Sequence, residues 1–135
     1  LDRSSAASDV YKRQGLPPVT IAEVEDKRGG GMAAEAALLD RVIPSDAALV
    51  TLDERGQMLT SPEFADRIAG FRDQARDIAF VIGGADGIDP ALRARAALSV
   101  SLGRMVWPHM LVRVMLAEQI YRATTILAGS PYHRA

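Results

Sequence analysis

Three stretches of the chain carry residue types suited to chemistry. The first is Val81-Ile82-Gly83-Gly84-Ala85-Asp86-Gly87, a β-type apolar run that meets a glycine-rich turn. Glycines let backbone N–H and C=O groups approach a ligand, and ligands of open α/β sheets collect beyond the carboxyl ends of the strands. The spacing is not that of a dinucleotide fingerprint, and no Gly-Lys-Ser/Thr follows to cradle a phosphate. A tight connector that needs positive φ would use the same residues. The second stretch is Ser101-Leu102-Gly103-Arg104-Met105-Val106-Trp107-Pro108-His109, followed by Leu111-Val112-Arg113 and by Ala117-Glu118-Gln119-Ile120-Tyr121-Arg122. The third is the terminal Ser130-Pro131-Tyr132-His133-Arg134. Titratable side chains this dense are unlike a structural tail, where low order is the rule. Glu118 and Arg122 stand four apart and would pair on one helix face whatever else they do. His109, after a proline, reads in the plain case as a turn histidine. His133 has no apolar neighbours to pack with, which favours a functional role.

The arginines are placed unevenly. Residues 1–90 hold ten Lys and Arg against sixteen Asp and Glu. Residues 91–135 hold six arginines, no lysine and one acid, Glu118. Planar guanidinium forks suit phosphate or carboxylate recognition, while the acidic part would repel a polyanion. Any nucleic acid is therefore expected at the C-terminal third, where a solvated helix face is the plainer alternative. There is no cysteine, which excludes disulfides, thiolate nucleophiles and cysteine-based zinc sites. No metal is expected.

At 135 residues the chain is the size of one domain, and it would bury about two thirds of its unfolded surface. Its 48% hydrophobic and 24% charged residues exclude disorder and collagen-like repeats. No apolar run reaches membrane-spanning length and no signal-peptide pattern opens the chain, so a soluble cytoplasmic domain is expected. Residues 1–14 have no helix or strand period and read as foreign or disordered sequence, leaving residues 15–135 as the domain.

From there strands and helices alternate. Residues 19–24, 47–52 and 78–82 read as apolar strands, with a basic glycine turn at 27–31 and a helix over 32–42. Ser61-Pro62-Glu63 reads as an N-cap, a proline in the first turn and an acid, opening a helix to about Ala75. Residues 53–56 read as a boundary. Asp89-Pro90 opens a helix to about Ala97, residues 98–107 read as extended, and the longest helix spans 111–127. Apolar strands alternating with helices predict an α/β domain with a mostly parallel sheet. The last helix is apolar over much of its surface, which predicts a partner.

Five blocks in order then carry a resemblance: Thr51-Leu52-Asp53, Ile82-Gly83-Gly84-Ala85-Asp86-Gly87, Pro108-His109-Met110-Leu111-Val112-Arg113-Val114, Ala117-Glu118-Gln119-Ile120-Tyr121-Arg122-Ala123 and Pro131-Tyr132-His133-Arg134. They resemble the small bacterial SPOUT-class methyltransferases that methylate N3 of a pseudouridine in 23S rRNA. The resemblance runs from about Gly15 to Ala135. It implies an α/β fold whose C-terminal part forms a trefoil knot, a rare exception to the rule against threaded chains. It also implies that S-adenosylmethionine binds in the knot, lined by Leu52, Gly83, Gly84, Leu102, Gly103, Arg104, Met105, Val106 and Trp107. The family works as a homodimer packed through the long C-terminal helix, on the assembled 70S ribosome. Members begin with a strand and a helix ahead of the region matching Gly15, so the sheet is expected to lack an edge strand. Arg104 stands where small residues are common, and Met110 where a second proline often follows Pro-His.

By the same resemblance, His133, Arg134, Tyr132, Glu118 and Arg122 would be the catalytic group, and Arg113, Arg122, Arg134 and His109 the RNA contacts. Methyl transfer needs proximity and a nucleophilic nitrogen, so either a base removes the imide proton or cations stabilise the anion. His133 would be the base, with Glu118 or a ribosomal phosphate as alternatives. Glu118 would orient Arg122 or His109, and Tyr132 would stack on the target base. An inactive cofactor- or ribosome-binding dimer, and a SPOUT enzyme with another RNA target, are the competing readings.

Overall fold

The computed structural model describes residues 18–23, 37, 39, 41, 43–83 and 88–134. The expectations for residues 1–14, for the turn at 27–31, for most of the helix at 32–42 and for Gly84 through Gly87 lie outside the described residues. Ala37, Leu39 and Arg41 are helical, as the spacing predicts.

Strands β1 (Val19–Glu23), β2 (Ala48–Gln57), β3 (Ile78–Ile82) and β4 (Leu98–Val100) form one sheet in the order β1-β3-β2-β4. Every pairing is parallel. Parallel strands covered on both faces read as continuous apolar runs, and all five residues of β3 are buried. Side chains alternate between two cores. On one face Val50, Leu52, Ile78, Phe80 and Ile82 pack against helices α1 (Ser61–Asp73) and α3 (His109–Leu127) through Phe64, Ile68, Leu116 and Ile120. On the other, Leu49, Ala79 and Val81 meet Leu39, Ile43, Ile88 and Leu92, the last from helix α2 (Pro90–Arg95). The domain is thus a sheet flanked by helices.

Local chemistry sets the helix ends. The N-cap of α1 is Thr60 rather than Ser61: its hydroxyl accepts from Glu63 N at 3.2 Å while Glu63 accepts from Thr60 N at 2.8 Å. This reciprocal pair outranks the Ser-Pro-Glu signal one residue on. The bond from the Thr60 backbone, and then the Thr60 hydroxyl, hold the Glu63 carboxyl below its ordinary value. That contribution to stability is present above the ordinary carboxylate value and is lost as pH falls through the lowered one. Helix α1 ends in a Schellman motif, with Ala75 N bonded to Arg72 O and Arg76 N to Phe71 O. Ala75 accordingly sits at φ 54, the left-handed region that glycine tolerates better. Ala75→Gly is expected to raise stability by about 1 kcal/mol in urea unfolding; an unchanged midpoint would show that the strain is not there.

Three expectations change. Strand β2 does not stop at Leu52: after Leu52↔Val100 the chain bulges through residues 53–56 and pairs again at Gln57↔Val100. The extended run from 98 stops at Val100 instead of Trp107, because the Ser101 hydroxyl bonds both the N–H and the C=O of Gly103, which turns at φ 123. Helix α3 starts at His109, two residues early, with Pro108 as N-cap. No helix among the described residues is long and apolar enough to cross a membrane.

Candidate active site

A cavity of about 330 Å³ opens at the carboxyl edge of the sheet. Three strands build it: Leu52, Asp53 and Glu54 at the bulge of β2, Gly83 after β3, and the loop from Leu102 after β4; Val112 of α3 closes it. Ligands of open parallel sheets bind at this edge. The expected residues Leu52, Gly83, Leu102, Gly103, Met105, Val106 and Trp107 all line it. Arg104 does not, and is exposed. Gly83 is held in place by its N–H bond to Leu52 O at 3.1 Å, and a Cβ there would meet Ile88 Cγ1 at 3.0 Å. The Trp107 indole Nε1 is buried with no hydrogen-bond partner.

Sequence reasoning passed over the charged part of this wall. The Asp53 side chain is only 4% exposed and accepts from Arg93 Nη2 at 2.5 Å and from Arg55 N at 3.1 Å. Arg93 also reaches Ile88 O at 3.5 Å, so one guanidinium ties β2 to Ile88, just ahead of α2. The only signal in the sequence was the Asp that follows Thr51-Leu52, which looks like the start of a turn. His109 lines the same cavity, with Nδ1 3.9 Å from Glu23 Oε2. Arg113 also serves Glu23, with Nη1 3.0 Å from Oε1. The expected RNA contacts His109 and Arg113 therefore face β1.

A second constellation sits further along α3. That helix closes with a Schellman motif at Gly129, φ 73, where Gly129 N bonds Ile126 O and Ser130 N bonds Thr125 O. The turn sends the tail back along the helix. Tyr132 Oη donates to Glu118 Oε2 at 2.9 Å, and Arg122 Nε donates to Glu118 Oε1 at 2.8 Å. Arg122 Nη1 lies 3.1 Å from His133 Nδ1. Arginine can only donate, so Nδ1 accepts and the remaining ring proton is on Nε2. The Arg122 guanidinium also lies 4.9 Å from the Tyr132 ring centroid, and Tyr121 meets that ring edge-on at 5.0 Å. Four of the five expected catalytic residues thus form one network. Glu118 orients Arg122 and not His109, and the two form the intrahelical ion pair that their spacing predicts. Arg134 is exposed, with no ion pair among the described residues.

The bond donated to Glu118, then burial and the carboxylate charge, hold the Tyr132 phenol above its ordinary value. For the Tyr132 ionisation, the stability that goes with a raised value is present below the ordinary phenol value and is lost as pH rises through the raised one. The tail does not line the first cavity. Among the described residues no group of three or more His, Asp or Glu is placed to hold a metal.

Comparison with known proteins places this geometry. A family model described as "Predicted SPOUT methyltransferase" matches residues 8–133. The chain is 78% identical over 134 residues to ribosomal RNA large subunit methyltransferase H of Paracoccus denitrificans, covering 99% of this chain and 84% of that protein. It is 69% identical over 121 residues to the protein of the same name from Ruegeria pomeroyi, covering 89% and 78%. With that of Cereibacter sphaeroides it shares 68% over 120 residues, covering 89% and 77%.

Proposed function

The chain belongs to the SPOUT methyltransferase family, in the group of ribosomal RNA large subunit methyltransferase H, and on that premise we propose that it transfers a methyl group from S-adenosylmethionine to N3 of a pseudouridine in 23S rRNA of the assembled 70S ribosome. The observation that carries the reading is the pairing of a strand-end cavity with the Tyr132–Glu118–Arg122–His133 network in one small domain. The cavity suits the cofactor. Leu52, Ile82, Val100 and Leu102 offer apolar walls for an adenine, and Glu54 a carboxylate for hydroxyl or ammonium groups. The orphaned Trp107 N–H is a donor that a bound molecule would satisfy after a small ring movement. The C-terminal trefoil knot belongs to this reading, formed by the chain around Leu102 to Trp107.

Bound there, the cofactor supplies an electrophilic methyl on a sulfonium. What this chain adds is placement and charge. The imide proton of the pyrimidine passes to water or to a substrate phosphate, and the nitrogen becomes nucleophilic as negative charge develops on the ring oxygens. Arg122 and Arg134 stabilise that charge, and His133 Nε2–H donates to it. His133 acts as a base only if Arg122 releases Nδ1, so electrostatic stabilisation is the main role of the network. Arg134 meets substrate phosphate.

The enzyme works as a cytoplasmic homodimer through α3. Met110, Leu111 and Val114 are 78%, 41% and 60% exposed on one face of that helix, and Met105 and Val106 extend the patch. An apolar patch of this kind marks an interaction surface.

The test is transfer of labelled methyl from S-adenosylmethionine to intact ribosomes from a strain lacking the modification, with free large subunits and tRNA alongside. Label in 23S rRNA of intact ribosomes, with about tenfold less in free subunits, is expected. Label in tRNA would mean another target. Cofactor binding without transfer to any RNA would mean a binding dimer only.

A further inference from the structure

A second cavity, of about 450 Å³, shares Leu52, Val100, Leu102 and Gly103 with the first. Its lining also includes Glu118, the carboxylate that holds Arg122 and Tyr132. It therefore touches both halves of the chemistry: the cavity assigned to the methyl donor and the network that manages charge on the acceptor. Methyl transfer needs the acceptor nitrogen in line with the donor and near the groups that stabilise it. A space joining the two is where such an acceptor belongs.

The walls fit a flat ring. Met58, Phe64 and Met115 give apolar surface, and enzymes that act on an everted base hold it between such side chains while hydrogen-bonding its edge. The edge reader is also present. Ser61 Oγ–H donates to Gln119 Oε1 at 2.7 Å, which orients the amide and leaves its NH₂ to donate. A pyrimidine imide presents carbonyl acceptors on both sides of N3, so an amide donor suits it.

We infer that this second cavity receives the everted pyrimidine of the RNA substrate, with Gln119 donating to a ring carbonyl and Ser61 fixing the amide. The inference rests on the RNA methyltransferase reading above and assigns that enzyme its acceptor pocket.

Two variants test it, Gln119→Leu and Met58→Trp. The first keeps volume and removes the donor. The second blocks the mouth from a position that is 66% exposed, so the fold is not at stake. Methyl transfer to intact ribosomes is measured together with calorimetric S-adenosylmethionine binding and urea unfolding. Both variants are expected to lose about tenfold or more in kcat, the worth of one hydrogen bond or stacking contact, with cofactor Kd within about twofold. Unchanged kcat in Met58→Trp, beside an active wild type, overturns the pocket alone. An equal loss of cofactor affinity also overturns it, since the cavity would then belong to the donor. A wild type that labels no RNA overturns the enzymatic reading, and the pocket with it.

Discussion

Replacing Arg122 by Ala is expected to lower kcat for methyl transfer about 10²–10³-fold while cofactor affinity stays within about twofold, the loss seen when one preorganised charge donor is removed. Arg122 is the hub of the tail network. Its guanidinium bonds Glu118, faces the Tyr132 ring and donates to His133 Nδ1. Without it, Glu118 keeps only the Tyr132 hydroxyl, and the imidazole loses the bond that fixes its tautomer. The first cavity has no residue from this network in its lining, so the proposed binding of S-adenosylmethionine there is expected to be left alone. Arg122→Lys restores charge without the fork that serves three partners, and partial rescue, about tenfold below wild type, is expected. Single-turnover transfer and calorimetry separate the terms. Wild-type turnover in Arg122→Ala would reduce the network to a strap that holds the tail, and would return the base role to other groups.

Much of the frame was legible in sequence where one local rule governed. Residues 78–82 form β3 as read, because a strand buried on both faces must be apolar throughout. Asp89 caps α2 as read, its carboxylate accepting from Ala91 N at 2.9 Å. The start of α1 was one residue off because Ser61-Pro62-Glu63 and Thr60-x-x-Glu63 overlap, and only the reciprocal bonds decide between them. Of the site, the strand-end glycine and the loop after β4 were visible. What stayed hidden depends on contacts far apart in the chain. Arg113 and Glu23 are 90 positions apart, and Arg93 and Asp53 are 40. Asp53 looked like a turn residue because nothing local says that the chain returns to β4 at Gln57. Ser61 and Gln119 meet only because α1 packs on α3.

That return makes Gly56 the most sensitive backbone position described, and Gly56→Ala is expected to cost about 3 kcal/mol. A Cβ built there lies 2.7 Å from Ser99 C, Val100 N and Val100 C. All three are backbone atoms of β4, so no side chain can swing aside. Either β2 gives up its second pairing at Gln57↔Val100, where Ser101 N also bonds Gln57 O at 2.8 Å, or β4 moves. Both choices disturb Ser101, whose hydroxyl sets the turn at Gly103 and hence the loop lining the cavity. The substitution should therefore weaken cofactor binding about tenfold as well as lowering the urea midpoint. Gly70→Ala is the control, in the last turn of α1 with nothing within 4 Å of its Cβ. There, helix propensity alone acts, and stability should rise by about 1 kcal/mol. If Gly56→Ala behaves like Gly70→Ala, the two strands are not in this close approach. If it loses stability but binds the cofactor normally, the turn at Gly103 is set independently of β2. Joint loss is the expected result, because one close backbone approach both seals the sheet edge and shapes the site beside it.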